Sequence, residues 1–339
     1  MTTAATLFTG GGGVDIGMRA AGYDVLWGIE NDERIADVAR VNGVNVTTAD
    51  ILETDPADFA WVDYLHASPP CPNFSVAKQG AKEMALDIAL SGMVSDFIAE
   101  INPRFFTLEN VSAYQYSESF AGIVATLARL GYMFRWQILN AADFGVPQTR
   151  RRLWLIAVRD GFVPYLPQPV PWVGWYEAIA DLVPALPDSQ FAPWQLERLP
   201  AMWRSSLLFP ATGHTDGASG GLPRYAEEPA QTLRAQRQGI ARAFIIDDQN
   251  NGAERDNGKR GLTLRNEAEP VFTVSATQTK RILRAAVPGR VVAMTVECLA
   301  RFQSFPDSYA LPENNALACR IIGNAVPPLV AQRIAEVLQ

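Results

Sequence analysis

Short apolar runs alternate with longer amphipathic stretches through the first 160 of the chain's 339 residues. Runs at 5–8, 23–29, 45–48, 62–67, 105–109, 133–139 and 152–158 have the length of buried strands, while 86–101 and 120–130 carry apolar residues at helical spacing. That alternation is the rhythm of βαβ units, so the pattern predicts a doubly wound α/β domain built on a mostly parallel sheet. After residue 159 the texture changes. Pro164, Pro167, Pro169, Pro171, Pro184, Pro187, Pro193 and Pro200 interrupt a stretch that also holds Trp172, Trp175, Trp194 and Trp203, and no long helix is expected there. From 213 to 261 the chain is rich in Gly, Arg, Asn and Asp. Short strands are expected at 243–246 and 271–275, which together read as a small loop-rich domain. Two segments, 228–233 and 269–274, share a Glu-Pro-x-x-Thr-aliphatic pattern, too few copies for a repeat architecture. From Arg290 helical patterning returns, ending at 330–338 just after Pro327 and Pro328; this tail is predicted to pack back on the large domain.

Composition narrows the class. Hydrophobic residues at 48% and charged residues at 19% exclude a disordered, collagenous or coiled-coil chain. No run approaches the roughly 20 apolar residues of a membrane span, and the first residues lack the basic segment of a signal peptide, so a cytoplasmic protein without membrane contact is expected. Cys71, Cys298 and Cys319 have no paired spacing, and His66 and His214 add no credible zinc set; the expectation is no metal and one reactive thiol. Net charge is -7, yet residues 224–290 hold 12 basic against 8 acidic side chains. Such asymmetry points to a local polyanion footprint on an acidic body, with solvated surface charge an equally good account.

The chemistry gathers at strand ends. The loop from Phe8 through Gly10, Gly12 and Gly13 to Gly17 follows the first strand and leads into a helix, the place where an open α/β sheet binds a nucleotide-like ligand. Glu30 ends the second strand at the offset suited to ribose hydroxyls, and Asp50 ends the third, within reach of an adenine amine. No Lys-Ser or Lys-Thr follows the loop, which disfavours a phosphate-hydrolysing P-loop; a dinucleotide oxidoreductase or a merely flexible loop remain readings of the glycines alone. Ser68-Pro69-Pro70-Cys71 follows the fourth strand and holds a thiol in a stiffened turn at the same edge. Cys298 and Cys319 lie in helix-like contexts and read as structural. Glu109 and Asn110 end the fifth strand, where a buried acid can donate a proton. Gln148 precedes Arg150, Arg151 and Arg152, and alternation along an extended segment puts Arg150 and Arg152 on one face, able to hold Glu109 and a bound base.

In this order the motifs resemble those of the cytosine-5 DNA methyltransferase family across nearly the whole chain. The loop at 8–17 looks like that family's S-adenosylmethionine motif, with Glu30 and Asp50 at its ribose and adenine positions. Pro69-Pro70-Cys71 looks like its nucleophile motif, and Glu109-Asn110-Val111 like its acid motif. Gly145-Val146-Pro147-Gln148 with Arg150 and Arg152 looks like its paired-arginine motif, and the last motif is matched by Gly323-Asn324-Ala325-Val326-Pro327-Pro328. Residues 172–284 fall where the family keeps a variable target-recognition domain.

The resemblance implies a Rossmann-like, S-adenosylmethionine-dependent methyltransferase fold: a catalytic domain over 1–165 plus 288–339 and a smaller loop-rich target-recognition domain over 166–287. It implies a monomeric enzyme acting on double-stranded DNA. Cys71, Glu109, Arg150 and Arg152 take the catalytic positions; Phe8, Gly10, Gly12, Gly13, Gly17, Glu30, Asp50, Pro70, Asn324 and Val326 the cofactor positions. Ser75, Asn110, Gln148, Gln231, Arg234, Gln236, Arg237 and Gln238 are the candidates for contact with DNA, the arginines and glutamines of the insertion for base edges or phosphates alike. A Cys71 thiolate would add to C6 of a flipped cytosine while Glu109 donates at N3, and C5 would then accept the methyl group. Transfer to RNA cytosine, transfer of another group and a catalytically silent DNA-binding relative are the alternatives. The chain departs from the family pattern in several places: Asn73 stands where Gly is usual, the arginine common a few residues after an acidic one in the loop that follows the nucleophile is absent near Asp87-Ile88-Ala89, Glu297-Cys298 stands where Arg-Glu is usual, and Thr6 takes the place of a carboxylate.

Overall fold

Seven strands of the large sheet are ordered β3-β2-β1-β4-β5-β7-β6, the arrangement expected when βαβ units wind outward from a central strand. In the computed structural model, residues 1–70, 83–191, 244–247, 263–274, 283–287 and 290–339 are described. Cys71, Ser75, Gln231, Arg234, Gln236, Arg237 and Gln238 lie outside them. The strands are β1 (Thr3–Leu7), β2 (Asp24–Glu30), β3 (Thr47–Thr48), β4 (Tyr64–Ala67), β5 (Phe105–Asn110), β6 (Met133–Asn140) and β7 (Arg151–Val158). β1 to β5 pair in parallel, while β7 runs antiparallel to both β5 and β6. This reversal brings the beginning of β7 to the edge where β1, β2, β4 and β5 end.

Side-chain alternation along the strands divides the core into two layers. Leu153, Leu155 and Ala157 share one apolar cluster with Phe97, Ile98, Phe120, Ile123 and Leu127 from helices α3 (Ala85–Ile101) and α4 (Glu118–Arg129), while α2 (Glu33–Val41) lies between β2 and β3 in the chain. Trp154, Ile156 and Val158 face the opposite way, toward Val14 and Met18 of α1 (Gly13–Ala20) and Val330, Ala331 and Ile334 of the last helix. That terminal helix, Pro328–Glu336, packs on α1 as its amphipathic pattern predicts. Gly17 makes the close crossing possible, since a Cβ there would stand 2.3 Å from the Pro328 carbonyl oxygen. Among the described residues no helix is long and apolar enough to cross a membrane.

Residues 160–191 supply one five-residue helix, α5 (Trp175–Ile179), consistent with the proline spacing. A second, antiparallel sheet joins β8 (Phe244–Asp247), β9 (Thr263–Asn266), β10 (Arg284–Val287) and β11 (Arg290–Ala293) in the order β11-β10-β8-β9. Two expectations change here. Residues 271–274 make no strand: Val271 forms a single parallel bridge with Gln148, after which the Thr273 hydroxyl and the Val274 N–H turn to Thr149 and the Gln148 side chain, so the ladder stops. The chain from Arg290 begins with β11 rather than a helix, and because β10 and β11 are paired, a division at 287/288 cuts a hairpin. Helices α6 (Val296–Phe302), α7 (Asn315–Asn324) and α8 (Pro328–Glu336) complete the chain.

Candidate active site

A cleft of about 500 Å³ opens along the edge where the parallel strands end. Its lining includes Phe8, Gly10, Gly13, Glu30, Asp50, Pro70, Glu109, Asn110, Arg150, Arg152, Asn324 and Val326, so most of the described candidates converge on one space. Topology achieves most of this: Phe8, Glu30, Asp50, Pro70, Glu109 and Asn110 end or follow parallel strands, Arg150 and Arg152 stand at the start of the antiparallel β7 at the same edge, and Asn324 and Val326 reach it from the junction between the last two helices.

The glycine loop forms one wall. Phe8, at φ +60°, sits in the left-handed region that non-glycine residues avoid at a cost of roughly 1–2 kcal/mol, strain that turns the chain abruptly out of β1. Gly10 follows at φ +57° with open space where a Cβ would stand, whereas a Cβ on Gly13 would lie 2.4 Å from the Val326 carbonyl oxygen. Twenty residues on, the Glu30 carboxylate accepts the Gly10 N–H at 2.9 Å and the Asp32 N–H at 3.0 Å, fixing the loop to the end of β2. Asp50 is exposed at the cleft and accepts the Leu52 N–H at 3.0 Å, capping a short helical turn.

The opposite end holds a different carboxylate. Glu109 is 6% exposed, and burial pushes its carboxyl above the ordinary range, an effect that nearby Arg152 and Arg150 oppose without reversing. Arg152 Nε stands 3.3 Å from Glu109 Oε1, within ion-pair distance but without hydrogen-bond alignment; Oε1 has no hydrogen-bond partner among the described residues. Arg150 is buried and donates from Nη1 to the Gly323 carbonyl at 3.1 Å, tying this end of the cleft to the segment carrying Asn324 and Val326. Arg151 is exposed, as alternation requires. Asn110 also lines the cleft; its amide donates to the Pro69 carbonyl at 3.1 Å and its Oδ1 accepts from Val111 N, so it fixes the entry to the Cys71 loop.

Three of the expected contact residues do something else. Gly12, the N-cap of α1 at φ +83°, and Gly17 are absent from the lining: a Cβ on the first would strike Val44, and the second meets α8. Gln148 is fully buried and bonds to Phe302, Gln303 and Val274, so it cannot face DNA from there.

Other residues that line or brace the cleft were not among the candidates. Arg320 lines the cleft and pairs with Asp32 at 2.6 Å; its place four residues before Asn324 on one helix was the available signal. Ser68 also lines it, held at 2.7 Å by His66 Nε2, whose other ring nitrogen meets the Thr107 hydroxyl at 2.8 Å. Burial lowers the His66 pKa to about 3, so the ring is neutral. Tyr309, whose hydroxyl donates to the Gly11 carbonyl at 2.8 Å, is 298 residues away in sequence, and nothing local announced it.

The family model for C-5 cytosine-specific DNA methylases matches residues 2–339. The chain belongs to that family. Type II methyltransferase M1.HphI of Haemophilus parahaemolyticus is 27% identical over 349 residues, covering 98% of this chain and 86% of that protein. Type II methyltransferase M.NlaX of Neisseria lactamica is 28% identical over 339 residues, covering 97% and 94%. The Dnmt2 methyltransferase of S. pombe has the same fold, with a TM-score of 0.61 over 99% of this chain and 98% of its own at 13% identity. The cleft of this C-5 cytosine methylase is lined by Phe8, Gly10, Gly13, Glu30, Asp50, Glu109, Arg150, Arg152, Asn324 and Val326, while the loop at 71–82 lies outside the described residues.

Proposed function

We propose that this protein acts as a monomer on double-stranded DNA, transferring a methyl group from S-adenosylmethionine to C5 of a cytosine flipped out of a short specific site. The observation that carries the reading is Glu109: a buried carboxyl with raised proton affinity, flanked by two arginines, on the same cleft as the glycine loop and next to the entry of the Cys71 turn. The cleft suits the cofactor. Its volume lies in the range of small-molecule sites, the Gly10 side is open, and the Glu30 and Asp50 carboxylates offer acceptors near the ends of adjacent strands. Phe8, Gly10, Gly13, Glu30, Asp50, Pro70, Asn324 and Val326 would hold it, and when bound it supplies an electrophilic methyl group.

Cytosine C5 is a poor nucleophile, and the residues of this chain act on that deficiency. Cys71, by its place in the nucleophile motif, adds as thiolate to C6. Glu109 gives a proton or hydrogen bond to N3, which withdraws charge from the ring during that addition and leaves an enamine-like C5. Arg152 and Arg150 keep positive charge beside Glu109 and fix the wall against which the base would lie. Loss of the C5 proton to a base and elimination of the thiolate then free Cys71. The segment from 166 through the β10–β11 hairpin is proposed as the target-recognition domain, supported by its position in the family order and the positive balance of 224–290.

Incubation with S-adenosylmethionine and mixed-sequence duplex DNA, followed by base-resolution sequencing for 5-methylcytosine, tests the reading. Methylation at one short motif is expected, and Cys71→Ser should abolish it. Unmodified DNA from wild-type protein that binds the cofactor would overturn it.

A further inference from the structure

The sequence places Gln148 beside the paired arginines, but its side chain leads away from the cleft into a dry hydrogen-bonded chain. Val274 N–H donates to Gln148 Oε1 at 2.9 Å. Gln148 Nε2 donates to the Phe302 carbonyl at 3.1 Å and to Gln303 Oε1. Gln303 Nε2 donates to the Ala325 carbonyl at 2.6 Å. Both glutamines are fully buried. Every link has one polarity, so rotating either amide would set donor against donor at a site closed to bulk solvent.

The ends of this chain are the two halves of the proposed reaction. Ala325 lies between Asn324 and Val326, all three on the cleft wall. Val274 follows β9 of the second sheet on a stretch that meets the segment leading into β7 at Val271, which bridges Gln148. Val271 N donates to the Pro147 carbonyl at 2.9 Å, Thr149 N donates to the Val271 carbonyl at 2.8 Å, and the Thr273 hydroxyl donates to the Thr149 carbonyl at 2.7 Å. Residues 147–149 lead directly into Arg150, which holds Gly323. Movement of 271–274 therefore reaches the cleft wall by two routes, one through the glutamine pair to Ala325 and one through Arg150 to Gly323.

We infer that the Gln148–Gln303 amide pair is a positioning device that couples duplex DNA on the recognition insertion to the cofactor wall at 323–326, each ligand tightening the other. This rests on the proposed methyltransferase reading, in which the insertion binds DNA and the cleft binds S-adenosylmethionine. Linkage requires the effect to be reciprocal. An amide pair that only glued the two sheets together would change stability and leave the coupling between ligands intact.

The test is titration of S-adenosylhomocysteine, by calorimetry, into the full-length protein with and without saturating sheared duplex DNA. DNA should tighten binding to wild type by roughly 5–100-fold. In Gln303→Met and Gln148→Met that ratio should fall clearly below the wild-type value, with the remainder carried through Arg150 and Gly323, and the double variant should fall no further, since both side chains lie on one path. A wild-type ratio of one, or variants that melt earlier yet keep the wild-type ratio, would overturn the inference. Hydrogen exchange on wild-type protein needs no variant: S-adenosylhomocysteine alone should slow exchange in the peptide covering 271–274, and unchanged exchange there with ligand bound would also overturn it. No binding of S-adenosylhomocysteine to wild type would sink the methyltransferase reading itself, a separate result.

Discussion

Glu30 and Glu109 line the same cleft, on strands separated by β1 and β4, and their surroundings give them opposite work. Glu30 is half-buried and accepts two backbone N–H groups, so it is an acceptor already aimed at the glycine loop. Glu109 is buried, faces two guanidiniums and still takes up a proton more readily than a free glutamate. Residue type does not separate the roles of these two acids; the difference between backbone amides and dry burial does.

The largest expected effect comes from removing the proton of Glu109. Glu109→Gln keeps the shape of the side chain and should lower kcat for methyl transfer by about 10²–10⁴-fold, with little change in the dissociation constant for S-adenosylhomocysteine. Steady-state kinetics with tritiated cofactor and calorimetry would separate the two. The corresponding change at the other end, Glu30→Gln, should give the reverse split: cofactor KM raised roughly 10–100-fold as one of two charge-assisted acceptors becomes a donor, with kcat within severalfold of wild type. Equal losses of kcat from both variants would erase the distinction.

A third carboxylate shows what burial does in a site without paired arginines. Asp15 on α1 is fully buried, with the Thr6 hydroxyl 3.1 and 3.3 Å from its two oxygens, and burial pushes its pKa up to about 6. Because the folded state binds the proton more tightly than the unfolded chain, this stabilisation is complete below about pH 4 and is lost as pH rises through 6. Asp15→Asn mimics the protonated form, so it should be more stable than wild type at pH 7.5, by up to about 3 kcal/mol, with the gap narrowing to about 1 kcal/mol at pH 4.5. Urea unfolding at both pH values checks the sign; a variant destabilised equally at both would show that the Thr6 contact, not the proton, decides.

Most strand positions on the large sheet were legible because buried strands are short apolar runs and the helices between them keep a helical period. The direction of β7 was not. Its residues read the same in either direction, and only the pairing of Glu109 with Trp154 and of Asn140 with Arg151 fixes the reversal that delivers Arg150 and Arg152 to the edge where β5 ends. Gln148 stood among the candidates for DNA contact by its place in the paired-arginine motif, and only its burial against Phe302 and Gln303 reveals its use. Gly17 was misread as well, since the glycine pattern does not say whether ligand or helix comes close. Thr6, where the family's usual carboxylate is missing, turned out to serve the buried Asp15 from the neighbouring helix.

Glu109 is proposed to work as a proton donor held between burial and two arginines. The pH dependence of kcat for DNA methylation, in wild type and Arg152→Met, tests it most directly. Since the acid form is the active one, wild-type kcat should fall as pH rises through the Glu109 pKa. Removing Arg152 takes away a charge that lowers that pKa, so the fall should move to higher pH while the maximal rate drops. An alkaline limb that stays where it was in Arg152→Met, or persists unchanged in Glu109→Gln, would contradict the assignment.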